Sequence, residues 1–278
     1  MKDIKMTYIE KEIQKQSVVP YGPPEVVIAQ RQGTTFFATK PPENKVYRHT
    51  PEKDEFFMQL SVVLERFTPE SHAWFAGHCE QNEILNSLVD TVISQIQNDS
   101  IGFRKTEKPP LVIFDIDETV LSMYYAFVSY FQSLEDPQAI VSRIPVFEQG
   151  LYPDQITIIR PMQRLYHVLK AKGAHIAFVT GRPEGVTTRL FSERQVKEIG
   201  YTDIKGIFMC PAGWQGSMAS WKEHARQELS KNFQIVMTID DDWKNLQGAC
   251  VGNYAVWVPS KLDKWGDEDS FFEILKKR

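Results

Sequence analysis

Acidic residues stand at the ends of two apolar runs in this 278-residue chain. Asp115 and Asp117 end the first run, and Asp240, Asp241 and Asp242 follow the second. Side chains alternate along a strand, so Asp115 and Asp117 point the same way if the strand continues. Two such carboxylates repel unless a cation lies between them, and Mg²⁺ prefers oxygen ligands. The pattern predicts a metal-assisted site in which a carboxylate could act as a nucleophile, although capping of a following helix would also use one or two of these acids.

Two further groups could bind an oxyanion. Thr180, Gly181 and Arg182 end the apolar run HIAFVT, and a hydroxyl beside a glycine lets an anion approach backbone amides closely. A strand-to-helix turn would need the same glycine. Lys222 lies early on a predicted helix, where its ammonium could neutralise phosphate oxygens or simply be solvated. Together with the carboxylates, these groups indicate phosphate chemistry.

Short apolar runs alternate with amphipathic segments from residue 111 onward. The predicted strands are 111–116, 175–180, 205–210, 234–239 and 254–258, and the predicted helices are 161–172, 184–199, 217–231 and 243–249. This alternation predicts an α/β fold, a Rossmann-like parallel sheet with helices on both faces. In such sheets ligands bind at the carboxyl ends of the strands, where the polar groups above are placed.

The first part of the chain has a different character. Residues 17–52 are rich in proline, which removes amide donors and blocks helix interiors. We therefore expect an extended N-terminal arm over 1–52, either wrapped on the domain or loose. Helical apolar periodicity predicts N-terminal helices within 53–98, so the catalytic domain would span 53–278.

Composition excludes several classes of protein. The formal net charge of −4 gives no general attraction for nucleic acid or an anionic membrane. Cys79, Cys210 and Cys250 form no CxxC pair, so we expect buried thiols. The N-terminus is charged throughout and no apolar run could span a bilayer. The cytoplasm is therefore the expected compartment, with leaderless secretion as the alternative.

Four segments resemble the motifs of the haloacid dehalogenase (HAD) superfamily of phosphohydrolases. They are LVIFDIDETVLS, FVTGRPE, SWKEHAR and DDDWKNL, in this order along the chain. Within that superfamily they are similar to class C bacterial acid phosphatases and plant vegetative storage proteins, over roughly residues 80–265. The resemblance implies the HAD fold and hydrolysis of small phosphomonoesters, with nucleotides among the candidate substrates.

The resemblance also implies roles for individual residues. Asp115 would attack phosphorus and form an aspartyl phosphate. Asp117 would protonate the leaving oxygen and then activate the water that hydrolyses the intermediate. Thr180, Gly181 and Lys222 would bind the phosphate. The lysine and a metal would neutralise negative charge on the transferring group. Most catalysis of phosphoryl transfer comes from this neutralisation.

Magnesium is the cofactor that the resemblance implies. Asp115, the backbone carbonyl of Asp117 and Asp241 would bind it, with Asp242 and Asn245 as candidates for a surrounding shell. Asn245 replaces an acidic residue of the family pattern. This change predicts weaker magnesium binding or lower activity.

A second departure lies at Asp240, where the family pattern has glycine. We expect the added side chain to tighten the space behind the metal and to add negative charge. Both departures leave open the alternative of a non-catalytic storage or interaction protein that retains the fold. A phosphatase for protein or nucleic-acid ends is disfavoured by the acidic net charge.

A long insertion follows the first motif. About 40 residues separate Thr119 from the next predicted helix, well beyond a usual connection. We interpret 122–158 as a small helical cap over the site. Its first residues are dense in aromatics, among them Tyr124, Tyr125, Phe127 and Tyr130, which could stack on a leaving group or pack the cap against the N-terminal helices.

Overall fold

The structure of the protein, a computed structural model, describes residues 26–31, 33–39, 83–98, 103, 107–122, 157–248 and 250–258. The strands are β1 (Val26–Arg31), β2 (Thr34–Thr39), β3 (Pro110–Phe114), β4 (Leu121–Ser122), β5 (Thr157–Ile158), β6 (His175–Pro183), β7 (Ile207–Cys210), β8 (Gln234–Asp240) and β9 (Tyr254–Trp257). The helices are α1 (Glu83–Asn98), α2 (Arg160–Ala171), α3 (Val186–Glu198) and α4 (Met218–Ser230), and Trp243–Leu246 is a 3-10 helix. None of these helices is long and apolar enough to cross a bilayer.

The central sheet has seven strands in the order β1-β2-β9-β8-β3-β6-β7. Its pairs are parallel except for the β1–β2 hairpin. From β3 the chain first builds outward through β6 and β7, and then returns to add β8 on the other side of β3. The strand order therefore reverses beside β3, which makes the carboxyl ends of β3 and β8 the expected place for a ligand.

Successive side chains of β3 point to opposite faces of the sheet and pack in the core on each face. Val112 and Phe114 pack in the core that includes residues of α1 and α2, whereas Leu111 and Ile113 pack with α4. All four side chains are buried. A strand covered on both faces reads as a continuous apolar run, which is why LVIF carries no polar position. The predicted α/β fold with helices on both faces is confirmed.

An N-terminal hairpin forms one edge of the sheet. Strand β2 pairs in parallel with β9, in a register that places Phe36 opposite Ala255. Phe37 is fully buried, and its ring centroid lies 6.0 Å from that of Tyr254. Part of the predicted arm is therefore extended, as its proline content indicated. This part also belongs to the core of the domain. The predicted boundary at residue 52 lies outside the described residues.

The first and last residues of the predicted cap lie next to each other. Strands β4 and β5 pair antiparallel, with Leu121 opposite Ile158 and Ser122 opposite Thr157. The insertion therefore leaves and rejoins the domain just beyond the carboxyl end of β3. The remainder of the predicted cap, including its aromatic residues, and the helices predicted between 53 and 82 lie outside the described residues.

Replacing Phe37 by alanine tests whether the hairpin belongs to the core. We expect Phe37→Ala to lower the free energy of unfolding by about 3–5 kcal/mol, because a fully buried ring is removed and a cavity remains. Ile28→Ala is the matched control on β1, since Ile28 is 51% exposed, and should cost less than about 1 kcal/mol. Urea unfolding curves measure both. Equal small losses would mean that the hairpin contributes little to the fold.

Candidate active site

Sheet register places two carboxylates side by side. Phe114 of β3 lies opposite Ile239 of β8, and the Asp115 backbone N–H donates to the Ile239 carbonyl at 2.9 Å. The next residues on the two strands are Asp115 and Asp240, and both side chains are buried. Both follow the alternation that points toward α4, so their carboxylates face the same helix.

Lys222 of α4 lies between these two carboxylates. Its Nζ is 2.7 Å from Asp240 Oδ2 and 3.0 Å from Asp115 Oδ1, and its side chain is only 4% exposed. Burial lowers the pKa of Lys222, but attraction by the two carboxylates raises it more, so the net pKa lies above its ordinary value. The ammonium is therefore held charged inside the protein.

The start of α4 fixes the position of Lys222. The Ser217 side chain caps the helix by accepting from the Ser220 backbone N–H at 3.2 Å. One residue before Lys222, the Trp221 indole N–H donates to the Thr180 carbonyl of β6 at 3.0 Å. These contacts anchor the first turn of the helix at the edge of the sheet where the carboxylates lie.

A third carboxylate completes the cluster. Oxygen atoms of Asp115, Asp240 and Asp241 lie within 4.8 Å of one another, and all three residues are buried. Lys222 balances one negative charge, and Arg226, also buried on α4, interacts electrostatically with Asp240. Negative charge remains in excess, and carboxylate oxygens are the ligands that a hard divalent cation prefers. The residues present therefore fit a divalent metal.

The pKa of Asp115 reflects the same imbalance. Burial raises it, and repulsion by Asp240 and Asp117 adds to the rise, while Lys222 lowers it. The net result is a pKa of about 7, compared with an ordinary value of 3.8. Additional positive charge beside this carboxyl group would lower its pKa and favour the ionised form.

The segment after β8 is organised by Asp240. Its Oδ1 accepts from the Asn245 side-chain amide at 2.9 Å and from the Asp242 backbone N–H at 3.0 Å. Asp242 caps the 3-10 helix with its own carboxylate, and the Trp257 indole N–H donates to the Asp241 carbonyl at 2.7 Å. The Asn245 Oδ1 is buried without a hydrogen-bond partner. Asp240, which we expected to tighten the space behind a metal and to add negative charge, lies in the carboxylate cluster with Asp115 and Asp241.

Asp117 lies apart from that cluster of three carboxylates. Its two carboxylate oxygens accept from Arg182, Nε at 2.8 Å and Nη2 at 2.7 Å. The turn that carries Asp117 contains Glu118, whose φ is 54°. Among the residues that the structure describes, Glu118 is the one non-glycine residue with a positive φ. Left-handed backbone costs energy in such a residue and is concentrated at functional sites. The pairing of Arg182 with Asp117 could not be predicted from sequence, because the two residues are 65 positions apart.

Thr180 and Gly181 lie at an irregularity of β6. The pairing of β6 with β7 shifts register between Thr180 and Pro183, so β6 continues beyond the predicted strand end at 180. Gly181 does not have a positive φ, and a Cβ added there would lie 2.9 Å from Met218 Sδ. Thr180 is fully buried and its Oγ1 accepts from the Arg182 backbone N–H at 3.2 Å. A side chain at position 181 would therefore displace the Met218 side chain, which is 40% exposed, and no positive φ calls for glycine there.

Three comparisons relate this chain to known proteins. Two solved structures of the class C acid phosphatase from Bacillus anthracis, one with tungstate bound, are each 16% identical to this chain with a TM-score of 0.43. The alignments cover 59% and 69% of this chain, and 65% and 72% of theirs. No curated protein matches the sequence.

A family model supplies the assignment. It describes the HAD superfamily, subfamily IIIB (acid phosphatase), and matches residues 69–262. The matched range includes β3, β6, α4 and β8, the four elements that carry the buried cluster and the Asp117–Arg182 pair. The chain therefore belongs to the HAD superfamily, subfamily IIIB, the acid phosphatase family.

Proposed function

We propose that this protein is a magnesium-dependent phosphomonoesterase that forms a phosphoryl intermediate on Asp115. The observation that carries the proposal is the buried ammonium of Lys222, 3.0 Å from Asp115 and 2.7 Å from Asp240, with Asp241 in the same cluster. Membership of the acid phosphatase family supports the reaction class. The three buried carboxylates outnumber the two buried cations by one charge, which favours binding of a divalent metal, and the metal in turn favours a phosphate dianion.

Asp115 is the proposed nucleophile. Its carboxylate oxygen forms a bond to phosphorus while the bond from phosphorus to the ester oxygen breaks, which leaves an aspartyl phosphate and a free alcohol. Asp115 follows directly after β3, and its backbone N–H is hydrogen-bonded to β8, so the attacking group is held by the sheet. Positioning on a rigid strand end reduces the entropy lost at the transition state.

Asp117 is the proposed general acid and base. It donates a proton to the departing ester oxygen, then accepts one from the water that cleaves the aspartyl phosphate and releases inorganic phosphate. Its side chain is 37% exposed, whereas that of Asp115 is 7% exposed. The more open residue is the one suited to exchange protons with a leaving group and with water.

Lys222, Thr180 and Gly181 are proposed to bind the phosphoryl group. The ammonium offers three donors, and the pair of carboxylates that holds it also fixes where a phosphate oxygen could meet it. Magnesium, held by Asp115 and Asp241 with the Asp117 carbonyl, would neutralise charge on the transferring group. Asp240 is a further candidate ligand, because its carboxylate belongs to the same cluster.

Small phosphomonoesters, nucleotides among them, are the proposed substrates. The two ends of the insertion meet where β4 pairs with β5, next to the turn that follows Asp115. An insertion that starts and ends at this point would keep large substrates away from Asp115 and admit small molecules. A panel of aliphatic, aromatic and nucleoside monophosphates, assayed with and without magnesium, tests both the reaction and the substrate class. Absence of turnover across the panel would favour the non-catalytic alternative.

Asp115→Asn should abolish turnover and keep the fold. The substitution preserves size but removes the nucleophilic charge, and loss of a nucleophile can lower kcat by about a million-fold. Phosphate release and circular dichroism measure the two effects. Asp203→Asn is the control, because Asp203 pairs with Lys170 on the surface, and it should keep the activity of the unaltered protein. Turnover by Asp115→Asn within about tenfold of that activity would exclude Asp115 as the nucleophile.

Asn245→Asp should strengthen the response to magnesium while weakening the metal-free protein. The substitution removes the amide that donates to Asp240 and sets two carboxylates against each other. We expect the free energy of unfolding without metal to fall by about 1–3 kcal/mol, since a buried hydrogen bond is replaced by repulsion. Added magnesium should then raise the melting temperature by more than it does in the unaltered protein.

Melting curves across a magnesium titration measure this change without relying on activity. Chelation should remove phosphatase activity from the unaltered protein, and magnesium should restore it. If Asn245→Asp melts as the unaltered protein does at every magnesium concentration, position 245 lies outside the influence of the metal.

A further inference from the structure

Arg182 holds the Asp117 carboxylate in a two-point contact. The Nε–Oδ2 distance of 2.8 Å and the Nη2–Oδ1 distance of 2.7 Å describe a fork-to-fork pair. The Arg182 side chain is 6% exposed and that of Asp117 is 37% exposed. A planar guanidinium paired in this way fixes the plane of the carboxylate as well as its position, which a lysine ammonium cannot do.

Arg182 is itself fixed by α3. Its remaining nitrogen, Nη1, donates to Ser192 Oγ at 2.8 Å and to Gln195 Oε1 at 2.7 Å. Ser192 is fully buried and Gln195 is 1% exposed. Both acceptors lie on one face of the helix, at positions i and i+3. Placing a guanidinium in the interior costs desolvation energy, and four side-chain hydrogen bonds offset that cost. A continuous series of hydrogen bonds therefore runs from α3 through Arg182 to Asp117 and restrains the Asp117 carboxylate.

We propose that Arg182 is a positioning residue for Asp117, and that Ser192 and Gln195 set the orientation of Arg182. This inference rests on the proposed function, in which Asp117 transfers a proton to the leaving oxygen. Such a group must lie within about 2.6–3.2 Å of the atom it protonates. The backbone of the turn that carries Asp117 is held by hydrogen bonds to the Ile116 carbonyl, whereas the Asp117 carboxylate is held by Arg182. Arg182 therefore directs the carboxylate. Each oxygen keeps a second lone pair, which can carry the proton that passes to the leaving group.

The alternative role for Arg182 is direct contact with the substrate phosphate. Substrates with different leaving groups distinguish this role from positioning of Asp117. Nitrophenolate leaves readily without a proton, whereas an alkoxide needs one. A residue that positions the general acid is therefore required mainly for alkyl phosphates. A residue that binds the phosphate is required equally for every ester, because all share that group.

The test compares Arg182→Gln with the unaltered protein on p-nitrophenyl phosphate and on ethyl phosphate. The value of kcat/KM covers the steps up to departure of the leaving group, so it reports the proton transfer without interference from hydrolysis of the intermediate. We expect kcat/KM for ethyl phosphate to fall by about 100-fold, within the usual contribution of general acid catalysis, and that for the nitrophenyl ester to fall by less than about tenfold. Arg182→Lys should show the same selectivity, because an ammonium cannot form the fork.

Two further variants connect Arg182 to its partners. Asp117→Asn should show the same selectivity for the leaving group, and adding Arg182→Gln to it should cause little further loss, since both act through one proton transfer. Gln195→Leu removes an acceptor of Arg182 at similar volume, and should give the same pattern with a smaller loss. It keeps the test informative if Arg182→Gln does not fold. Arg194→Gln is the control on α3, where Arg194 lies on the surface 3.8 Å from Glu198.

Equal losses for the two esters in Arg182→Gln would overturn this inference, and so would a double variant whose losses multiply. Selectivity in Arg194→Gln equal to that in Gln195→Leu would overturn it as well. Turnover of neither ester by the unaltered protein would overturn the proposed function, and this inference with it. Equal losses in a protein that is otherwise active would overturn the role of Arg182 alone.

Discussion

The contact among Lys222, Asp115 and Asp240 is the interaction on which the rest of the site depends. Register between β3 and β8 forces the two carboxylates to be neighbours, and alternation points both toward α4. Two buried anions at this separation are unfavourable without a cation between them. The sheet therefore requires Lys222 at this position on α4, and α4 in turn is attached to β6 through the Trp221 indole.

The topology of the sheet explains why these groups meet. Strand order reverses beside β3, so the carboxyl ends of β3 and β8 open toward the same space. The insertion after β3 starts and ends there as well, because β4 and β5 pair at its two ends. The opposite edge of β8 is extended by β9 and the N-terminal hairpin, which buries the flank of the sheet away from the site.

Two departures from the family pattern are physically coupled. The resemblance implies glycine at position 240 and an acidic residue at position 245, where this chain has Asp240 and Asn245. The Asn245 amide donates to Asp240 at 2.9 Å, whereas a carboxylate at 245 would repel it. Asp240 therefore adds a carboxylate to the cluster, and the Asn245 amide holds that carboxylate in place.

The sequence by itself determined the alternation of strands and helices, the acidic strand ends and the order of the four motifs, because these depend on local periodicity and on residue type. Its motifs also contain Asp115, Asp241 and Lys222, which the structure brings close together. Tertiary structure alone decided that Asp240 joins the cluster and that Arg182 pairs with Asp117, because both depend on contacts between distant segments. The hairpin was likewise decided by tertiary contacts: local composition favours an extended chain, but only pairing of β2 with β9 and burial of Phe37 make it part of the sheet.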